Sequence, residues 1–539
     1  MNEEIEEYYE ELYRLYIDEN QPLERRYRQL RESLERVVRE KIQGNSLQTT
    51  DLAARINYVA TQYGLDLKEQ NQLHTFRLTS NDILNHRKSP VKEEFLRDLR
   101  AVAYAYRKMF AQDIPLKLFS VLPKQEIASS GKKEKMEYIR RIRVCFDYAD
   151  DTYLYVHPVD VTADEPIRVV YNKPGINHEF EETIKELWRY AQLNLLDVSV
   201  DRDGIYTPSF IVLEPDYLID ISSLAECYKD YGSHPANYFL SRLVPIDNAR
   251  PLLLGNIANL FLDEWIHAGE EEPDYIDCMK KAFRQYPIEL AACAELRDPS
   301  KEKEFAKDCR MHFEHIRDVV QHTFLEPGYN LDKKEAVLEP SYICEALGIQ
   351  GRLDYMQRDM SSFIEMKSGK ADEFSMQGKV EPKENNKVQM LLYMAVLEYS
   401  MGQDRRRMHP YLLYTRYPLL YPARASWAQV RRVINLRNRI VAAEYGVQFH
   451  NHPDFTRNLL AQINPEVVNE RKLSGRFWEQ YLKPSISRFR EKLSALEPLE
   501  QAYFYTLYNF ITKELYTSKS GDVDYEGRAG ASALWLSTL

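Results

Sequence analysis

The sequence contains no apolar run that approaches the roughly 20 residues needed to span a membrane. Its first residues, MNEEIEEYYEELYRLY, are acidic and lack the pattern of a secretory signal peptide. The six cysteines, at positions 145, 227, 278, 293, 309 and 344, include no Cys-x-x-Cys pair. Scattered thiols are typical of a reducing compartment. We therefore expect a cytoplasmic protein that has no membrane partner and keeps its cysteines as free thiols.

A phosphate-binding loop is also missing from the sequence. Gly-Lys occurs in SGKKEK and in KSGKADE, but neither matches G-x-x-x-x-G-K-[ST], so we expect no ATPase activity from this chain. The net charge of −11 does not by itself indicate a nucleic-acid partner, because local charge matters more than the sum. The length of 539 residues allows roughly three or four domains.

Residue periodicity divides the chain into four segments. Apolar residues at helical spacing among mixed Glu and Arg predict an N-terminal helical region over 1–135, which ends in the polar linker SVLPKQEIASSGKKEKM. Short β-branched and aromatic runs predict a β-rich module over 136–214, with one helix at EFEETIKELWRYAQ. Alternating strands and helices predict an α/β core with a central sheet within 215–445. Residues 446–539 are expected to form a C-terminal helical region with a possible linker.

An acid and an amine follow an apolar strand in SSFIEMKS. Because successive strand residues point to opposite faces, Glu365 and Lys367 share a face. GRLDYM places Asp354 on the preceding strand, and the short turn QRDMSS can bring its carboxylate beside Glu365. Two carboxylates with a backbone carbonyl suit a hard cation such as Mg²⁺. A nearby amine can orient or deprotonate a water, which together with a metal is what attack on a phosphodiester requires.

The helix NNKVQMLLYMAVLEYSMG comes next in the chain. Gln389 and Tyr393 are four residues apart in it and lie on one helix face. We expect their amide and phenol groups to reach the edge of the sheet, where they can hold Lys367 or a nucleic-acid backbone.

Three motifs follow one another between residues 351 and 393: Gly-x-x-Asp (Gly351, Asp354), Glu-x-Lys (Glu365, Lys367) and Gln-x-x-x-Tyr (Gln389, Tyr393). Over residues 215–420 this order resembles the RecB-type nucleases of the PD-(D/E)XK superfamily, including the nuclease half of the eukaryotic replication helicase–nuclease and the CRISPR-associated exonucleases. The resemblance implies a restriction-endonuclease-like mixed sheet flanked by helices and Mg²⁺ or Mn²⁺ as cofactor. It also implies that the catalytic residues are Asp354, Glu365, Lys367, Gln389 and Tyr393. The alternative is an exposed hairpin with a surface Glu–Lys pair.

Two further positions of the family pattern are altered in this chain. The family places a metal-binding His four residues after a Gly on an upstream helix, and LGNIANLFLDE fits that setting but has Asn259, a weaker ligand. An ordinary polar helix face is the alternative for Asn259. Iron–sulfur members use one early and three late cysteines. Cys227 fits the early position, but no cysteine follows Cys344, so we expect no iron–sulfur cluster and a buried Cys227 thiol.

A stretch rich in arginine and aromatic residues runs from 405 to 439 and contains no Asp, Glu or Lys. Arginines contact phosphates while aromatic rings stack on bases, a combination typical of single-strand binding. The alternative is a basic face that pairs with the acidic N-terminal region. The candidate nucleic-acid-binding residues are Arg405, Arg406, Arg407, Arg416, Arg424, Arg431, Arg432, Arg437, Arg439, Tyr414 and Trp427.

Together these features predict a metal-dependent DNA nuclease that acts on single-stranded or flapped DNA. A non-catalytic DNA-binding or scaffolding subunit with a nuclease fold, and a nuclease that acts on RNA, are the alternatives. Relatives are commonly fused to or paired with a helicase in DNA repair or phage defence, so we expect a helicase module in cis or in trans. The sequence turns apolar from Ala531 to Leu539 after a Gly-rich stretch. Such an end docks on the chain's own core, docks on a partner or continues into a longer polypeptide, and we favour the last two.

Overall fold

The computed structural model describes residues 2–18, 20–42, 52–123, 138–159, 165–201, 203–244, 249–329, 331–371, 381–423 and 426–520. These residues belong to two units. The first unit contains the described residues up to 217 together with 441–455 and 505–520. The second unit contains the described residues of 218–440 and 456–504. Residues 124–136 of the predicted linker and the apolar end, 521–539, lie outside the described residues.

Helices occupy the first unit up to residue 119. Apolar side chains recur in them at helical spacing, and Tyr27, Leu30 and Leu34 are fully buried as a result. Asp66 and Glu69 form a capping box that begins the fourth helix. This part of the chain is helical, as the residue spacing predicts. The helices are α1 (Asn2–Ile17), α2 (Leu23–Ile42), α3 (Leu52–Gln62), α4 (Leu67–Leu84), α5 (Lys92–Phe110) and α6 (Leu116–Phe119).

A six-stranded sheet follows these helices in the first unit. The strands are β1 (Tyr138–Ala149), β2 (Tyr153–Pro158), β3 (Ile167–Val170), β4 (Gln192–Val200), β5 (Tyr206–Thr207) and β6 (Phe210–Leu213). Their order is β1-β2-β3-β5-β4-β6, and β1 also pairs with β4, so strands β1 to β5 close into a ring. The pairing of β3 with β5 is parallel, whereas β1 pairs antiparallel with both of its neighbours.

The prediction of one helix over EFEETIKELWRYAQ is mostly wrong. The structure has a 3-10 turn, His178–Phe180, and one short helix, α7 (Glu181–Lys185). Tyr190 has a φ of 73°, a left-handed conformation that a continuous α-helix does not contain. The chain turns there and enters β4.

The second unit alternates helices with short strands. Its first helices are α8 (Ile221–Ala225), α9 (Ala236–Leu243), α10 (Arg250–His267), α11 (Tyr275–Gln285), α12 (Pro287–Ala292) and α13 (Pro299–Gln321). The strands are β7 (Ile219–Asp220), β8 (Ala336–Leu338), β9 (Ser341–Cys344), β10 (Ile349–Arg352), β11 (Tyr355–Gln357), β12 (Ser362–Lys367), β13 (His409–Tyr414) and β14 (Leu419–Pro422). The remaining helices of the chain are α14 (Glu384–Met401), α15 (Trp427–His450), α16 (Pro453–Ala461), α17 (Pro465–Val468), α18 (Lys483–Ser494) and α19 (Pro498–Ser520). A π-helical turn, Trp478–Leu482, precedes α18.

Two sheets organise the second unit. One has the order β7-β10-β9, and the other has the order β14-β13-β12-β11-β8. In the five-stranded sheet β12 and β13 are parallel, whereas the other neighbours are antiparallel. Ile364 and Met366 of β12 belong to an apolar cluster that also contains buried residues of α10 and α13. Alternation therefore leaves Glu365 and Lys367 on the other face. The predicted α/β class is confirmed, with mixed sheets.

Within the ranges given above, none of the helices is both long enough and apolar enough to cross a membrane.

Candidate active site

Asp354 and Glu365 lie side by side across the β11–β12 hairpin. Tyr355 pairs with Ile364 in the antiparallel register, so Asp354, one residue before β11, stands opposite Glu365. The Asp354 carboxylate accepts a hydrogen bond from the backbone N–H of Met366, with an Oδ2–N distance of 2.6 Å. The expectation that Asp354 lies on a strand is wrong. It occupies a bend between β10 and β11, because these two strands belong to different sheets and the chain must change direction between them.

Lys367 is held between Glu365 and Gln389. Its Nζ lies 2.8 Å from Glu365 Oε1 and 2.8 Å from the side-chain oxygen of Gln389. Gln389 Nε2 donates to the same Glu365 Oε1 at 2.6 Å. The three side chains form a closed hydrogen-bonded triangle on the face of β12 that α14 covers. The structure therefore brings together the strand pair and the first helix residue of the predicted site.

The second carboxylate oxygen of Glu365 has a different environment. Oε2 is buried and makes no hydrogen bond within the described part of the chain. Burial raises the pKa of Glu365 to about 8, and the Asp354 carboxylate adds to this increase while Lys367 opposes it. Burial also raises the pKa of Asp354, again against the effect of Lys367. Burial and mutual repulsion disfavour the charged forms of these two adjacent acids. A cation bound between them would stabilise both carboxylates.

Tyr393 contacts the backbone and not Lys367. Its hydroxyl donates to the carbonyl oxygen of Arg352 at 2.5 Å, which ties α14 to the end of β10. Gly351 allows this close approach, since a Cβ there would lie 3.1 Å from the Tyr393 hydroxyl oxygen and 3.1 Å from Ile221 Cδ1. The predicted Gly-x-x-Asp and Gln-x-x-x-Tyr motifs are therefore in direct contact.

Asn259 lies on α10, half-buried, one turn after Gly255. A Cβ at Gly255 would lie 3.4 Å from Ser368 Oγ, so the glycine lets α10 pass close to the residue that follows β12 and Lys367. Nothing in the described ranges places the Asn259 amide in contact with Asp354 or Glu365. The same ranges contain no group of three His, Cys, Asp or Glu side chains arranged to hold a metal ion.

Two acids that the sequence analysis missed lie near Asp354. Asp263 is half-buried on α10, and burial raises its pKa to about 6, with Glu339 and Asp354 acting in the same direction. Glu339 has a φ of 48°, and its backbone N–H donates to the Asp354 carbonyl oxygen at 3.1 Å. Its carboxylate pairs with Arg352 at 3.0 Å. Helical spacing could have indicated Asp263, which is one turn beyond Asn259.

Cys227 is buried, as predicted, and its thiol donates to the Ser223 carbonyl oxygen at 3.3 Å. Burial raises the pKa of this thiol to about 12, which makes it a poor nucleophile at neutral pH. All six cysteines are buried free thiols.

The arginine-rich stretch does not form one exposed face. Arg437 is fully buried, and its Nε donates to the Gly348 carbonyl oxygen at 3.2 Å. Tyr414 is also fully buried, and its hydroxyl accepts from Asn386 Nδ2 at 2.8 Å. For these two residues the prediction of nucleic-acid contact is wrong, because sequence composition does not reveal which side chains a helix or strand turns inward.

The other members of that stretch differ in exposure. Arg405 pairs with Glu398 at 2.6 Å, and its guanidinium lies 4.1 Å from the centroid of the half-buried Trp427 ring. Arg424 lies outside the described residues. The exposed arginines are Arg406, Arg407 and Arg432, and the half-buried ones include Arg416, Arg431 and Arg439.

Comparison of the sequence with protein-family models and with curated proteins finds no match in either set.

Proposed function

We propose that this chain is a divalent-metal-dependent nuclease that hydrolyses phosphodiester bonds, with a RecB-type, restriction-endonuclease-like core of the PD-(D/E)XK kind within residues 215–445. The observation that supports the proposal is the different environment of the two carboxylate oxygens of Glu365. One of its oxygens binds Lys367 and Gln389, while Oε2, buried beside Asp354, makes no hydrogen bond among the described residues. A hairpin with a surface Glu–Lys pair would not bury a carboxylate in this way, since burial of an unpaired acid is costly.

Asp354 and Glu365 would hold the metal, Mg²⁺ or Mn²⁺. Mg²⁺ keeps several of its waters and is commonly bound through one or two carboxylates. Two acids are therefore a sufficient donor set, even though a cluster of three ligating side chains does not occur in the described ranges. When bound, the cation would polarise a phosphoryl oxygen and activate a water.

Lys367 would stay protonated in this site. Burial is the largest single influence on the pKa of Lys367 and lowers it, but the Glu365 and Asp354 carboxylates raise it, and the net effect is a raised pKa. An ammonium that keeps its proton orients the attacking water and stabilises negative charge on the phosphoryl oxygens, and it does not act as the general base. Gln389 would position Lys367, and Tyr393 would position the segment before Asp354 through the Arg352 carbonyl.

The resemblance supports DNA as the substrate, single-stranded or flapped. It also supports a cytoplasmic helicase–nuclease system in DNA repair or phage defence as the setting. Asn259 remains a proposed additional metal ligand, through its carbonyl oxygen. The exposed Arg406, Arg407 and Arg432 can contact strand phosphates in this proposal.

A cleavage assay tests the proposal directly. Full-length protein is incubated with labelled single-stranded, flapped and duplex DNA and with single-stranded RNA, in Mg²⁺, in Mn²⁺ and in EDTA. We expect metal-dependent cutting of single-stranded and flapped DNA that the Glu365→Gln variant lacks. Binding without cutting in every metal would instead identify a scaffolding subunit, and preferential cutting of RNA would change the substrate.

A further inference from the structure

The strand ring of the first unit has a recognisable topology. Around the ring the order is β1-β2-β3-β5-β4, with β3 and β5 parallel and β1 joined to β4. The connection between β3 and β4 carries the 3-10 turn and α7, from which the fully buried Phe180 packs edge-on against Phe210 at 6.3 Å. This is the topology of the OB barrel, whose β2–β3 face binds oligonucleotides or oligosaccharides. The fold alone does not establish a binding site, because one fold serves many functions, and the side chains on this face determine what it can bind.

A β-bulge in β1 turns one tyrosine outward. Phe146 pairs with buried Val156, but the register shifts at Asp147, and Tyr148 pairs with Tyr155 on the outer face. Without the extra residue, Tyr148 would share the inward face of Phe146, because strand side chains alternate. Bulges of this kind commonly re-aim a side chain.

The two tyrosines form one aromatic surface. The rings of Tyr148 and Tyr155 are stacked, with centroids 4.3 Å apart and planes at 14°, and 51% of Tyr148 is exposed. The Tyr155 hydroxyl donates to Asp150 Oδ2 at 3.0 Å, while the other oxygen of Asp150 accepts the backbone N–H groups of Thr152 and Tyr153. Asp150 therefore fixes both the β1–β2 turn and the orientation of the Tyr155 ring.

An arginine extends this surface on β3. Tyr153 is two residues before Tyr155 on the same face of β2, and the exposed guanidinium of Arg168 lies 5.7 Å from the Tyr153 ring centroid. The contact described for the Arg168 guanidinium is with a backbone oxygen, that of Asp203, at 3.4 Å, and none of the described ion pairs includes this arginine. Its positive charge is thus available to a ligand. We call Tyr148, Tyr153, Tyr155 and Arg168 the tyrosine platform.

We infer that the tyrosine platform is a binding site for single-stranded nucleic acid, on which bases stack against the tyrosine rings while Arg168 contacts a phosphate. Every base has a π-face, so stacking of this kind tolerates any sequence, and a duplex hides those faces. A guanidinium beside the rings suits a phosphate-bearing ligand better than a neutral oligosaccharide. With one arginine available, binding at the platform depends mainly on stacking and only weakly on salt. This site belongs to a different unit from the candidate active site and does not depend on the proposed function.

Fluorescence anisotropy of the full chain with labelled oligo(dT) and oligo(U), in EDTA to prevent cutting, tests the inference. Tyr148→Ala and Tyr155→Ala should each raise Kd about tenfold, the loss expected for one stacked base. Tyr155→Phe keeps the ring and should bind like wild type, which separates stacking from the hydrogen bond to Asp150. Arg168→Gln should lower the log–log salt slope by about 0.7. Tyr503→Ala, at a tyrosine that is 68% exposed and remote in sequence, is the matched control.

Crosslinking of an iodouridine-containing strand, followed by peptide mapping, identifies the contact directly. We expect crosslinks at Tyr148, Tyr153 or Tyr155. The inference is overturned if both alanine variants bind like the Tyr503→Ala control, if crosslinks map only outside residues 138–207, or if a neutral oligosaccharide displaces the strand. Each of these results leaves the nuclease proposal standing, because metal-dependent cleavage is measured separately and with an intact candidate active site.

Discussion

Gln389 and Glu365 are joined by a 2.6 Å hydrogen bond from the amide to Oε1, the same oxygen that accepts the Lys367 ammonium. The hydrogen bonds from the Gln389 amide and from Lys367 therefore both go to Oε1 of Glu365. Oε2 is left beside Asp354, buried, and none of the residues that the structure describes hydrogen-bonds to it. Oε1 is thus occupied by hydrogen bonds within the protein, whereas Oε2 is free to bind a metal ion. This difference between the two oxygens is the geometric basis of the proposed metal site.

Alanine at Asp354, Glu365 or Lys367 should reduce DNA cleavage to background without unfolding the protein. The two acid variants should also weaken Mn²⁺ binding in calorimetry, whereas Lys367→Ala should not, because an ammonium is not a metal ligand. Arg358→Gln, at an exposed position on the turn after β11, is the control for nonspecific loss. A wild-type cutting rate in any one of the three variants would show that the site is assigned incorrectly.

Gly351→Ala should destabilise the second unit by about 1–3 kcal/mol, the usual cost of overpacking, because the new Cβ would crowd both Tyr393 and Ile221 at 3.1 Å. Gly269→Ala is the matched control, since the space around a Cβ there is open to 4 Å among the described atoms. Denaturant unfolding measures both. Equal stability of the two variants would contradict the close packing of α14 on β10.

Glu214 should make the first unit less stable as the pH rises. Burial raises its pKa to about 7 from an ordinary 4.5, against the effect of the Gln192 N–H that it accepts at 2.9 Å. Between these two pH values the folded protein binds a proton that the unfolded chain has released, so stability falls with increasing pH. Glu214→Gln should remove this dependence and be more stable than wild type by about 3 kcal/mol at pH 8. Thermal unfolding from pH 4 to 8 provides the measurement, and parallel curves for the two proteins would refute the argument.

Arg437 and Arg432, both on α15, should respond differently to replacement by alanine. Arg437→Ala removes a buried guanidinium that donates to the Gly348 carbonyl, so stability should fall by several kcal/mol. Arg432 is exposed, so Arg432→Ala should leave stability unchanged and lower the salt slope of single-strand binding by about 0.7 if it contacts a phosphate. An unchanged slope would remove Arg432 from the proposed nucleic-acid contacts.

Local patterns in the sequence were sufficient to predict the β12 strand and the α14 helix of the candidate active site, although not the bend at Asp354. Strand alternation alone placed Glu365 and Lys367 on one face, and helical spacing alone placed Gln389 and Tyr393 on another. Both depend only on neighbouring residues, whose geometry repeats. The amphipathic helices of the first 119 residues followed from the same kind of periodicity.

Only the tertiary structure decided which groups meet. The break at Asp354 arises because β10 and β11 join different sheets, and the burial of Arg437 depends on Gly348, far away in the sequence. Closure of the strand ring requires pairing of β1 with β4, and the shift at Asp147 that exposes Tyr148 exists only relative to its partner strand. Pairing between distant segments is set by the packing of the whole chain, so no local pattern of residues could determine it.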